Sequence, residues 1–135
     1  MNKYEKVKFM HLRSRDSGAI TVASVIFNKE KLSFKPPFDL IDFGFAFCNP
    51  KDSFSREKGR EIAYKMLCNG PVSVKLCDKK IDSLFTALHK MYTMKKLPTW
   101  LVKFIKKKYR NKVKFSCDFV QALLGEFKTA RKEKK

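Results

Sequence analysis

The residues best suited to chemistry lie together in Cys48-Asn49-Pro50-Lys51-Asp52-Ser53-Phe54-Ser55-Arg56-Glu57-Lys58-Gly59-Arg60. The segment reads as a strand end, a tight loop and a helix start. A helix N-terminus presents free N–H groups and a partial positive charge, so it favours an anion. Lys51, Arg56 and Arg60 surround that start. By helical geometry Arg56 falls ~50° from the centre of the apolar face, so it points toward the sheet edge. A guanidinium held there can grip phosphate with two parallel N–H bonds. The competing reading ties Arg56 to Asp52 or Glu57 as a loop clamp.

Two further basic segments compete for attention. Arg13-Ser14-Arg15-Asp16-Ser17-Gly18 puts two arginines at a hairpin end, as a plain surface turn or as a second phosphate grip. Residues 95–114 carry nine basic side chains and no acid, interleaved with Trp100, Phe104, Tyr109 and Phe115. Basic plus aromatic composition suits backbone neutralisation and base stacking on nucleic acid. The same pattern also describes an amphipathic core helix with a solvated lysine face, with Phe104 inward and Lys106-Lys107-Lys108 outward. Membrane-surface binding is a weaker use of it.

Catalytic and metal patterns are missing. The sequence has no G-x-x-x-x-G-K-[ST], H-E-x-x-H or G-x-S-x-G. Nothing in the spacing of Asp16, Asp39, Asp42 and Asp52 asks for a metal. His11 and His89 read as a strand-surface and a helix-flank residue. Cys48, Cys68, Cys77 and Cys117 lack zinc spacing and read as reduced structural thiols. The expectation is a binding protein, not an enzyme, with no cofactor.

These residues need a folded frame, and composition supplies one. The chain has 135 residues, 44% of them hydrophobic, with 13 phenylalanines, which excludes a disordered chain. The net charge of +18 is self-repelling and points to an anionic partner. No apolar run reaches the ~18 residues of a spanning helix, and no signal-peptide pattern opens the sequence. A cytoplasmic protein with no membrane partner is expected.

Hydrophobic periodicity changes from two to 3.6 near residue 77, and the basic excess concentrates beyond it. Tyr4 to Arg13 and Ala19 to Asn28 predict a β-hairpin, and Leu32 to Lys35 can extend the meander before Pro36-Pro37 ends it. Leu40 to Cys48 predicts a strand with Phe43, Phe45 and Phe47 on one face. Gly44, Ala46 and Cys48 lie on the other, where a helix or a flat ligand can approach closely. Residues 53–68 predict a helix capped by Ser53 or Ser55 and stopped by Asn69-Gly70-Pro71. Gly59 falls at the centre of its apolar face, which close packing on the small-residue strand explains. Val72 to Leu76 is a short strand. Three amphipathic helices then follow: 79–94, one opening at Pro98-Thr99, and one opening at Ser116 or Asp118. Residues 128–135 read as a frayed basic tail. The expected fold class is α+β: an antiparallel β-sheet with one helix packed on it, followed by a C-terminal helical subregion. Residues 1–135 form a single domain, with 1–77 as sheet plus helix and 78–135 as helices and tail.

The run Phe45-Ala46-Phe47-Cys48-Asn49-Pro50-Lys51-Asp52-Ser53-Phe54-Ser55-Arg56-Glu57-Lys58-Gly59-Arg60 resembles a signature of small phage proteins, Phe-Cys-x-Pro-Lys-Asp-x-Phe-Ser-Arg-x-x-Gly-Arg. Gly18-Ala19-Ile20-Thr21-Val22-Ala23 also fits, with Ala19 where a second glycine is expected. Over residues ~4–77 the chain looks like the first-described type of Thoeris anti-defence sponge. The helical half matches only by order of elements. The resemblance implies a protein that binds a cyclic ADP-ribose-type signal made by bacterial TIR-domain immune proteins and holds it without cleavage. It would act in the cytoplasm of an infected bacterium. Phosphate contacts would fall to Arg56, Arg60, Lys51 and Arg15. Ala23 and the Phe-rich strand, Phe47 included, would offer adenine a wall. The family pairs protomers around each ligand, so a homodimer or higher homo-oligomer is implied, with Arg110 and Asn111 reaching the partner's site. The alternative reading is a basic nucleic-acid-binding accessory protein using residues 95–114.

Overall fold

A computed structural model describes residues 7–14, 18–27, 40–49, 51 and 55–129. Its order is β1 (Lys8–Ser14), β2 (Gly18–Phe27), β3 (Leu40–Cys48), α1 (Arg56–Asn69), β4 (Val72–Lys75), α2 (Lys80–Thr93), α3 (Thr99–Lys108), α4 (Ser116–Glu126) and β5 (Lys128–Thr129). The strands lie in the order β4-β3-β2-β1-β5, and every neighbouring pair is antiparallel. This is the expected α+β class.

The predicted hairpin forms, with β1 and β2 in register from Lys8↔Ser24 to Ser14↔Gly18. Gly18 closes it at φ 84°, a backbone conformation that favours glycine. Residues 32–35, expected to extend the meander, lie outside the described residues, as do Tyr4 to Lys6 of the first strand.

Side chains alternate between the two faces of a strand, and here each face takes its own cover. Leu12, Ile20, Val22, Ile41, Phe43 and Phe45 enter the main core with α2, α3 and α4. Phe43, Phe45 and Phe47 run along this face, with ring centroids 5.9 Å apart in each step. Leu84, Leu88, Leu101, Ile105, Phe119 and Leu123 close on them from the helices, all 1% exposed or less. Tyr92 of α2 stacks on Phe119 of α4 at 4.2 Å and 8°. The bulky face therefore needs three helices.

The small-residue face takes α1. Ala23, Val25 and Ala46 form a second core cluster with Ala63 and Leu67. At Gly44 an added Cβ would press on the Ala63 carbonyl oxygen and come within 2.7 Å of the Leu67 amide. Gly59 is buried one turn before Ala63 on the same helix face. Between the helix and the ligand that this strand can admit, it is the helix that occupies it. Past the end of β4 pairing, the Phe45 amide donates to Met66 Sδ of α1 at 3.2 Å.

Two boundaries shift. The helix expected from residue 53 starts at Arg56, with Ser55 as N-cap in extended backbone at φ −127° and ψ 121°. Of the tail expected to fray from residue 128, Lys128 and Thr129 instead pair with Arg13 and Leu12 as an edge strand, and residues 130–135 lie outside the described residues. Buried Phe127 anchors that turn in the main core. Glu126 holds it further, accepting from Ser14 Oγ at 3.4 Å, Lys108 Nζ at 2.6 Å and Tyr109 OH at 2.7 Å.

Candidate functional site

The first turn of α1 stands beside β1 on the small-residue face. Ser55 fixes its start: its hydroxyl accepts from the Lys58 amide at 3.2 Å and its carbonyl from the Gly59 amide at 2.9 Å. The Arg56 and Glu57 amides find no protein acceptor among the described residues. These are two of the donors that a helix start leaves outside its own hydrogen-bond ladder.

Arg56 and Arg60 are one turn apart on one exposed flank of the helix, to the same side of buried Gly59. Neither forms an ion pair among the described residues; Glu57 does not clamp Arg56, and Asp52, the other expected clamp, lies outside the described residues. Both cations run against the helix dipole, which disfavours positive charge at this end.

Their field falls on His11 of β1. The His11 imidazole is held below its ordinary value, first by burial and then by the charges of Arg56 and Arg60. Its Nδ1 lies 2.9 Å from Thr21 Oγ1 on the neighbouring strand. His11 and Thr21 are register partners, so one backbone pairing sets both. Two arginines, a helix start, a hydroxyl and an imidazole kept toward its neutral form together make an edge whose positive charge comes from Arg56 and Arg60.

Sequence reasoning assigned Arg56 and Arg60 to this edge but left His11 as a surface strand residue. The available signal was phase: His11 alternates with core-facing Met10 and Leu12, and so must share the α1 face with Arg13.

The other expected site residues scatter. Lys51 is exposed in the preceding loop, where its amide donates to Asn49 Oδ1 at 3.0 Å. Arg15 lies outside the described residues. Ala23 is 0% exposed beneath α1 and presents no surface to adenine. Its position needs a small side chain because a helix packs there. Phe43 and Phe45 are equally closed off by α2 to α4, and Phe47 is half-buried at the edge of that core. Arg110 and Asn111 are exposed in the turn after α3, part of the helical layer on the opposite face from α1. Within one chain they do not join Arg56.

The described residues contain no group of three or more His, Cys, Asp or Glu able to hold a metal ion. No helix among them is long and apolar enough to cross a membrane. Comparison with known proteins finds no match to a family, a curated protein or a solved structure.

Proposed function

We propose that this protein captures a cyclic ADP-ribose-type nucleotide at the α1 edge and holds it without cleaving it, as a phage anti-defence sponge acting in the bacterial cytoplasm. One observation carries the reading. Arg56 and Arg60 lie one turn apart at the start of α1, have no carboxylate partner among the described residues, and bear on His11. A pair of cations kept in mutual repulsion is relieved by a dianion such as the diphosphate of that ligand class. The resemblance of residues 45–60 to the sponge signature supplies the ligand's identity.

Capture without cleavage makes the protein a stoichiometric binder. The adenine wall would come from a second protomer, since the small-residue wall of the same chain is covered by α1. Arg110 and Asn111, exposed on the other layer, are the residues a partner would contribute.

The test is direct. The protein is incubated with cyclic ADP-ribose, desalted and heat-denatured, and the released compound is identified by chromatography. Recovery of the intact compound is expected; recovery of a hydrolysed product overturns the reading in favour of an enzyme. Salt separates the alternative. Nucleic-acid binding through residues 95–114 would fall steeply with salt in proportion to the phosphates neutralised, whereas a small-ligand site falls much less.

A further inference from the structure

On the opposite face of the sheet from His11, and at its other end, a cavity of about 450 Å³ opens between the strands and the start of α2. Its apolar walls include Ile26, Ile41 and Leu76, and its polar side chains are Lys8, Ser24, Cys77, Asp78 and Lys80. Register explains the grouping. Lys8 and Ser24 are partners across β1 and β2, and Ile26 and Ile41 are partners across β2 and β3. Leu76 follows β4, and Lys80 is the first residue of α2.

Three features single this cavity out. Ser24 is only 3% exposed, yet its hydroxyl makes no hydrogen bond among the described residues. A buried hydroxyl without a partner is costly and calls for one. Lys80 is half-buried, and burial together with the charge of Lys8 holds its ammonium below its ordinary value. Two ammonium groups thus line one space, and neither forms an ion pair with Asp78, the acid that lines it with them. Finally, the N-cap of α2 is Lys79, which makes no side-chain capping bond, so the helix start facing this end lacks its usual side-chain acceptor.

We propose that this cavity is a binding site for a small amphipathic anion, its carboxylate or phosphate head between Lys8 and Lys80 and its apolar body against Ile26, Ile41 and Leu76. The Ser24 hydroxyl donates to the head or to an oxygen beside it. The volume suits a small organic molecule, and apolar walls with a few convergent polar groups are what such sites present. The site is independent of the α1 edge, since strand alternation puts Lys8 and Ser24 on the other face from His11 and Thr21.

The test uses probes of one chain length: octanoate and octyl phosphate as the two anionic heads, and octanol as the neutral control. Calorimetric titration is combined with amide chemical shifts at Ser24, Leu76 and Lys80. Either anion is expected to saturate at least about tenfold more tightly than octanol, and the tighter of the two names the head. Lys80→Met should weaken the anion about ten- to a hundredfold, the scale of a lost charge-assisted contact. Exposed Lys96→Met should leave it unchanged. Should Lys80→Met fail to fold, Lys8→Gln at the exposed start of β1 decides the matter with the same expected loss. The proposal is overturned if octanol binds as tightly as the anions, if no probe saturates below about 10 mM, or if shifts appear only at the α1 edge.

Discussion

Replacing Arg56 by alanine separates a binding arginine from a structural one. Arg56 occupies the first position of α1, is exposed, and forms no ion pair among the described residues. A cation at a helix N-terminus costs about 0.3–1 kcal/mol, and alanine is the better helix former by a few tenths. Removing Arg56 also lessens repulsion on Arg60 and His11. The variant is therefore expected to be as stable as the parent or up to about 1 kcal/mol more so, a melting temperature unchanged or raised by about 0–6 °C. Loss of a charge-assisted phosphate contact should cost about 2–5 kcal/mol of binding, or roughly 30- to several-thousand-fold in affinity for cyclic ADP-ribose. A third readout needs no ligand. His11 is held low partly by Arg56, so NMR titration of its ring should show it rising toward its ordinary value. The sign for stability follows. A histidine depressed in the fold stabilises the protein fully above its unfolded value of about 6.5, and that contribution is lost as pH falls below it. Arg56→Ala should shrink that acid-side loss. A variant that melts several degrees lower, keeps its affinity and leaves His11 unmoved would refute the placement of the site.

Other perturbations test the frame. Gly44→Ala should lift α1 from β3, because the new Cβ meets helix backbone at Ala63 and Leu67; a loss of about 1–3 kcal/mol in urea unfolding is expected, with capture weakened as Arg56 and Arg60 shift. Glu126→Gln should cost about 1–3 kcal/mol, because Glu126 gathers Lys108, Tyr109 and Ser14. Burial pushes the Glu126 carboxyl up, but its donors outweigh that and hold it low. Its contribution is thus present above the unfolded value of about 4.3 and lost as pH falls through the folded one, an acid-side loss that calorimetry should find missing in the variant. Ile62, Ile81, Met94 and Phe115 are 48–69% exposed, and light scattering at micromolar concentration should give a mass above the 15.8 kDa monomer.

Much of this architecture is local, and local patterns are legible in a sequence. Period-two alternation along Phe43 to Cys48 already separates a bulky face from a small one, and the structure keeps that division. Ser55 before Arg56, glycine after Asn69 and Pro98 before Thr99 mark helix limits through the bonding needs of free backbone groups. The placement of Arg56 and Arg60 at a helix start is likewise a property of neighbouring residues.

Tertiary packing decided what no spacing contains. The small face of β3 suits a helix or a flat ligand equally as sequence, and only the descent of α1 onto Gly44 closes it and removes Ala23 from contact with any ligand. His11 joins the arginines because β1 lies beside β2 under α1, and Lys8 meets Lys80 because α2 begins over the far end of the same sheet. Lys128 and Thr129 leave the tail for the sheet because Phe127 is buried and Glu126 finds donors on β1 and α3. In each case the energy comes from groups distant in sequence. Local preference sets which face a side chain takes, while the burial of both faces of one sheet determines which side chains meet.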